Sequence, residues 1–459
     1  IELIYKILNK EFECNLEYIT TFLSYGNFIS EHTAFKNIYE LPIGSVLIFE
    51  EGKISTEIVW KPQDYSNKPY NREETQEELF DTLYKVTEKY IEPYDEVVID
   101  YSGGLDSTAL LYILNDITKK NKKKLIAVNH FHPEINSSNE LSIAQKICDT
   151  LNITLLSVST KDSLPFTPVK SNFKFNSLSF LNMHLKDEIL LAKILKKYKL
   201  SNIVFINGHG GDHIFGCPPY IESIADSFID TKNQVFHLVK ELHYHTRESY
   251  WQILTNTIKN LISYHYKKLK FNNQETQSSI FNQKIIKNFL NFSLPIDNKI
   301  DFVNCKPGYI KYMQNIYHAF ATLNIEMRSK LNNYAPVYSP LLSQPILEIV
   351  SRIPTYELYG KGFDRLFLRE IIAKKFDTNF IWRKEKGETT GVIQLGIKQN
   401  INFITDIIED GKLINEDIFY EFVLKNRIKM LAEGYSDDLL FVSNIVCAEI
   451  LIKMYGSPI

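Results

Sequence analysis

Val97-Val98-Ile99-Asp100-Tyr101-Ser102-Gly103-Gly104-Leu105-Asp106-Ser107-Thr108-Ala109-Leu110-Leu111 decides the fold. Its β-branched opening reads as a buried strand, residues 102–106 as a tight turn, and the apolar-rich stretch to about Thr118 as a helix. Strand, turn and helix in that order make a phosphate loop. The glycines let backbone N–H groups approach a ligand with no Cβ in the way. Ser102, Ser107 and Thr108 add hydroxyl donors at a helix N-terminus, where an anion is favoured. The loop lacks the Gly-Lys-Ser/Thr ending of a Walker loop, and its Asp106 suits a Mg²⁺ bridging to phosphate oxygens.

Working outward, residues 73–91 read as a helix before the loop. Strands at 125–129, 153–158 and 203–207 alternate with helices at 141–151 and 185–198. Such alternation predicts a parallel sheet with right-handed crossovers and ligands beyond the carboxyl ends of its strands. Directly after the last of these strands stands Asn207-Gly208-His209-Gly210-Gly211-Asp212-His213-Ile214-Phe215-Gly216. Its glycines permit close backbone approach to a nucleotide, and its carboxylate falls on the same sheet face as Asp106. Two aspartates from two strand ends make a Mg²⁺ site that would offset charge on a pyrophosphate leaving group. The candidate nucleotide contacts are Ser102, Gly103, Gly104, Leu105, Asp106, Ser107, Thr108, Asn129, Gly208, His209, Gly210 and Gly211. As turn residues, both aspartates are expected on the surface, where replacing them spares the fold.

Beyond about residue 225 strands become scarce, so the chain divides into an α/β core at 71–225 and a helical lobe at 226–459. Residues 1–70 read as a helix followed by strands at 45–50 and 54–60. The polar stretch 267–283 is the expected mobile loop. At 459 residues the chain is too long for one core, and 44% hydrophobic with 23% charged residues is an ordinary globular balance. A net charge of −3 argues against a nucleic-acid binder that depends on a basic surface. Five cysteines without metal-ligand spacing or a disulfide framework fit a reducing cytoplasm. Cys14, inside a helix-like segment, reads as a small core residue. His209, His213, His243 and His245 lack a third ligand at a recognised zinc spacing, and no protein-held transition metal is expected. Neither a signal peptide nor a bilayer-spanning apolar run is visible.

Three late runs complete the pattern: Tyr338-Ser339-Pro340-Leu341-Leu342-Ser343-Gln344-Pro345, then Gly362-Phe363-Asp364-Arg365 with Arg369, and Arg383-Lys384-Glu385-Lys386-Gly387-Glu388-Thr389-Thr390-Gly391. Pro340, Pro345 and Pro354 punctuate helix starts. The last run is a cationic glycine loop suited to neutralising a pyrophosphate or an acyl-transfer oxyanion.

Ser-Gly-Gly-Leu-Asp-Ser resembles the signature of the ATP pyrophosphatases, which cleave ATP to AMP and pyrophosphate. The second glycine run resembles the motif of asparagine synthetases and β-lactam synthetases, whose aspartate is a Mg²⁺ ligand, and this assigns Asp212. Residues 33–44 resemble the linker that joins the glutaminase and synthetase domains of asparagine synthetases. That glutaminase begins with a nucleophilic Cys, whereas this chain starts at Ile1, so no glutamine hydrolysis is expected. Asparagine synthetases carry Glu-Val-Arg-Val-Pro-Phe-Leu-Asp where this chain has Pro336-Val337-Tyr338-Ser339-Pro340-Leu341-Leu342-Ser343. Both acids are missing. The late runs look instead like lasso peptide cyclases of the microcin-maturing kind, homologues that close a macrolactam ring.

The resemblance implies an ATP-pyrophosphatase fold (adenine nucleotide alpha hydrolase-like) with a helical C-terminal lobe and a reduced N-terminal segment. ATP and Mg²⁺ would be its cofactors, a lasso precursor core peptide its substrate and a leader peptidase its partner. In related synthetases a Lys of the Arg-x-Lys-x-Gly loop contacts pyrophosphate. Here Glu385 takes that place, and Lys386, directly before Gly387, is the expected catalytic lysine, with Lys384 on the other side. The other reading is an asparagine synthetase or β-lactam synthetase type of amide-forming enzyme on a small substrate, which would keep the Glu replaced by Pro336.

Overall fold

The computed structural model describes all residues except 27–29, 67, 136–139, 169–176, 198–201, 232–233, 267–278, 286–304, 327–333, 385–386, 388 and 457–459. Most of the expected mobile loop at 267–283 lies outside the described residues.

Strands β1 (Ser45–Glu50) and β2 (Lys53–Ile58) form an antiparallel hairpin, exposed along most of its length. The main sheet contains β3 (Glu96–Asp100), β4 (Lys124–Phe131), β5 (Thr154–Ser159), β6 (Ile203–Ile206) and β7 (Val337–Tyr338), in the order β5-β4-β3-β6-β7, and every pair is parallel. The strand order reverses at β3. Its carboxyl end is therefore the switch point where an open α/β sheet leaves a crevice, and the turn at Ser102, Gly103 and Gly104 opens there.

The period-two alternation of β3 explains its central place. Val97 and Ile99 face a core built with the helices Arg72–Ile91 and Leu105–Lys120, while Val98 faces a second layer with Ile126, Val128, Val158 and Phe205. A strand buried on both faces has to be apolar throughout. β7 comes from deep within the chain's second half and is only two residues long. Phe205 N–H donates to the Pro336 carbonyl at 2.8 Å and Asn207 N–H to the Tyr338 carbonyl at 3.1 Å. The expected helical lobe thus contributes an edge to the α/β sheet.

The N-terminal segment holds two helices, Glu2–Leu8 and Leu16–Tyr25. It packs on the C-terminal helices, with Phe12, Ile19, Phe22 and Phe35 in one core with Ile445, Leu451 and Tyr455. Cys14 is not helical: it lies between the two helices and bridges to Phe35. It is a core residue nonetheless, 5% exposed, and burial pushes its thiol up to about 11. Among the described residues no helix is long and apolar enough to cross a membrane.

One buried carboxylate joins three distant segments of the chain. Asp226 accepts from Gly308 N–H and from Thr355 Oγ1, each at 2.8 Å, and burial pushes it up to about 7. The folded chain thus keeps a proton that the unfolded carboxyl releases near pH 4, so stability falls as pH rises from about 4 to about 7. The loss in melting temperature between pH 5 and pH 8 should be smaller in Asp226→Asn than in the wild type. Equal losses would show that Asp226 does not carry this dependence.

Candidate active site

The helix Leu105–Lys120 starts at Gly104, whose backbone is extended, and carries Asp106 in its first turn. Gly103 has φ +84°, a conformation that favours glycine, and this turns the chain from β3 into the helix. Ser102 Oγ accepts from Gly104 N–H at 3.1 Å and lies 3.2 Å from Ser107 Oγ. The loop is therefore held by its own hydroxyls, with the positive helix end facing outward. Thr108 and Ser107 are buried, and Thr108 Oγ1 donates to Tyr101 Oη at 3.4 Å. Asn129, at the end of β4, is 1% exposed and spends its amide on the Tyr101 carbonyl at 2.8 Å, which braces the loop.

The second glycine run is pressed against the first. A Cβ at Gly211 would lie 2.4 Å from Asp106 Cγ, and only glycine allows that approach. Asp212 opens the short helix Gly211–Ile214 and contacts His213 Nδ1 at 2.9 Å. His213 stacks on His318 and lies beside His209, which burial, together with these two imidazoles, pushes down to about 4. His209 is therefore neutral near pH 7. Among the described residues no group of three His, Cys, Asp or Glu could hold a metal ion. Two carboxylates are enough for Mg²⁺, which keeps several waters and is commonly held by one or two carboxylates plus substrate phosphates. The hard oxygen donors of Asp106 and Asp212, on abutting turns, fit that ion.

A cavity of about 420 Å³ opens from Gly103 and Gly104 to the second lobe. Its far wall carries Tyr244, Asp364, Arg365, Arg369 and Lys384, residues the sequence places 136 or more positions away from Thr108. Arg365 Nη1 donates to Asp106 Oδ2 at 2.7 Å. Although burial opposes it, Arg365 together with Cys217 and Arg369 holds the Asp364 carboxyl down to about 2. Arg369 also donates to the Asp364, Ile381 and Arg383 carbonyls, which fixes the start of the cationic loop. Arg383 pairs with Glu140, and Glu140 lies between Gly103 and Gly387, so the loop folds back on the phosphate loop.

Lys384 faces the cavity, its Nζ 3.1 Å from Tyr244 Oη and 5.0 Å from the Tyr244 and Phe363 ring centres. Lys386 lies outside the described residues. Asp106 is also less exposed than a surface turn implies: its side chain is 16% accessible and bound to a guanidinium that is 5% accessible. Removing the carboxylate would take one of two carboxylate partners from a buried cation, so alanine is expected to cost stability rather than spare the fold.

The asparagine synthase family profile matches residues 81–438, which include both glycine runs and all three late runs. Two solved structures align weakly. The U34-tRNA thiolase from Methanococcus maripaludis with its [4Fe-4S] cluster is 17% identical over 57% of this chain and 85% of that one, at a TM-score of 0.27. The NMN synthetase from Francisella tularensis is 17% identical over 32% of this chain and 59% of that one, at 0.21. No curated protein matches the chain. With its parallel sheet, its phosphate loop at the switch point and a family match over most of its length, the chain belongs to the asparagine synthase family of ATP-dependent, AMP-releasing amide ligases.

Proposed function

We propose that this ligase is a lasso peptide cyclase. The Asp or Glu side chain of a leaderless core peptide attacks the α-phosphorus of ATP, giving an acyl-adenylate and pyrophosphate. The peptide's own N-terminal amine then attacks the acyl carbon, closes the ring and releases AMP. Mg²⁺ held by Asp106 and Asp212 would supply charge neutralisation for the triphosphate. The loop at 102–108 and the turn at 208–211 bind the nucleotide, and Lys384 or Lys386 faces the departing charge. That amine has a reference pKa near 8, so little is needed to deprotonate it, and the main task is to hold amine and adenylate together. A leader peptidase that frees the amine is the proposed partner.

The observation that carries the reading over a small amino-acid substrate is the neutral run 336–343. It forms β7 and the following turn, with Ser339 Oγ bonded to Asn207 Oδ1 at 2.7 Å and Leu342 against Gly210. Where asparagine synthetases present two acids beside this turn, the chain presents Pro336 and Ser343. The test is incubation of the protein with the peptidase, a candidate precursor, ATP and Mg²⁺. The expected product is a core peptide lighter by one water, with no glutamine or ammonia consumed. A peptide acetylated at its N-terminus should still be adenylated but should not cyclise. Ring closure of that acetylated peptide, or AMP formation driven by free aspartate and ammonia, would overturn the proposal.

A further inference from the structure

Asp106, proposed above as a metal ligand, is bound by a cation that belongs to the protein. Arg365 Nη1 donates to its Oδ2 at 2.7 Å, and Arg365 Nε lies 3.4 Å from Asp364 Oδ1. Asp364 in turn pairs with Arg369 at 3.0 Å and accepts from Cys217 Sγ at 3.0 Å. The guanidinium comes from the second lobe, on a loop of unusual backbone: Lys361, Gly362 and Arg365 have φ of 54°, 72° and 48°. Left-handed conformation in residues with a Cβ is strained and persists where surroundings impose it, often at functional sites. Arg365 lines the same cavity as Gly103 and Gly104, so oxygens gripped by the loop's N–H groups would face its fork.

We propose that Arg365 is an exchangeable counter-ion: it pairs with Asp106 until a divalent cation takes that carboxylate, and its guanidinium is then transferred to pyrophosphate oxygens. The reason is electrostatic. A dication and a guanidinium cannot share one carboxylate cheaply, since like charges at such short range repel strongly where little water screens them. A pyrophosphate placed between them removes the conflict, and the planar fork matches phosphate oxygens two at a time. Cation and pyrophosphate therefore bind cooperatively, with Arg365 as the coupling element. The exchange would also tie nucleotide binding to the position of the 360–366 loop.

The inference rests on the metal and phosphate site of the proposed function but needs no peptide, so it is testable with Mg²⁺ and inorganic pyrophosphate alone. Calorimetric titration of the full chain with each, and with both, should show each tightening the other by about tenfold or more, within the usual range of coupling. In Arg365→Gln, Mg²⁺ alone should bind several-fold tighter because Asp106 loses its competing guanidinium, while pyrophosphate with Mg²⁺ should bind at least tenfold more weakly and the coupling should fall to what direct attraction between the metal and the phosphates supplies. Arg365→Lys keeps the charge and loses the fork. It should leave binding of Mg²⁺ alone near the wild-type value and still weaken pyrophosphate, and it carries the test if the Gln variant does not fold. A general loosening of the site would weaken both ligands together, and that result, or unchanged coupling in the variants, overturns the inference alone. A wild-type chain that binds no pyrophosphate with Mg²⁺ removes both the inference and the site it rests on.

Discussion

Asp106→Asn should lower AMP formation by about a thousandfold, the upper end of what one preorganised charge-stabilising group contributes at an active site. The substitution keeps the shape and one hydrogen-bond acceptor toward Arg365, so its thermal unfolding should stay close to that of the wild type. Asp106→Ala should be both inactive and less stable, because Arg365, 5% exposed, then keeps only Asp364 as a partner. Asp212→Asn should match the first variant in activity. AMP release at the wild-type rate in either Asn variant would remove that residue from the proposed metal site.

The second large effect concerns the cationic loop. A lysine acting on charge that develops in the transition state should lower turnover far more than substrate affinity when it is lost, by about a hundredfold or more. Lys386 is the residue that the Lys-Gly-x-Thr-Thr wording favours. Lys384 is the one observed against the cavity, between Tyr244 and Phe363. Turnover of Lys384→Met beside Lys386→Met, at saturating ATP and peptide, decides between them. A crippled Lys386 variant with an active Lys384 variant supports the sequence-based choice. The reverse assigns the role to Lys384, and near-normal turnover in both would show that neither lysine stabilises the reacting charge.

The part of the fold legible in the sequence is the part written in local pattern. The run 97–99 declares a buried strand because every residue is β-branched, and residues 102–106 declare a loop because glycine and short polar side chains serve no strand or helix well. The structure places the strand as expected and keeps Ser102–Gly104 as the turn, but it takes Leu105 and Asp106 into the first turn of the helix Leu105–Lys120. β7 was not legible: two residues beside prolines have no periodicity to read, and only the neighbouring β6 makes them a strand. Cys14 is the core residue that its sequence suggests, but its helix-like surroundings instead serve a bridge to Phe35.

The near wall of the site was legible and the far wall was not. Asp106 and Asp212 announce themselves through glycines that allow close approach, and Gly211 does abut Asp106. Arg365 stood in a motif that could be quoted, yet nothing local shows that its guanidinium ends on a carboxylate 259 residues earlier. Tyr244 carries no local signal and His245 reads only as a candidate metal ligand to be set aside, because a helix end becomes a cavity wall only through tertiary packing. Asn129, near the carboxyl end of β4, reads as a ligand contact, and the structure adds a bracing role that no local pattern announces: its side-chain N–H donates to the Tyr101 carbonyl.

Activation of a peptide carboxylate on the α-phosphorus of ATP leaves an isotopic record. A core peptide labelled with ¹⁸O in its Asp or Glu side chain is turned over with ATP and Mg²⁺, and the nucleotide product is read by mass spectrometry. In an acyl-adenylate one carboxylate oxygen bridges carbon and phosphorus, and amine attack breaks the bond on the carbon side. One ¹⁸O is expected in AMP for each ring closed, and none in pyrophosphate. Label in inorganic phosphate with ADP as the nucleotide product, or unlabelled AMP beside a cyclised peptide, would contradict it.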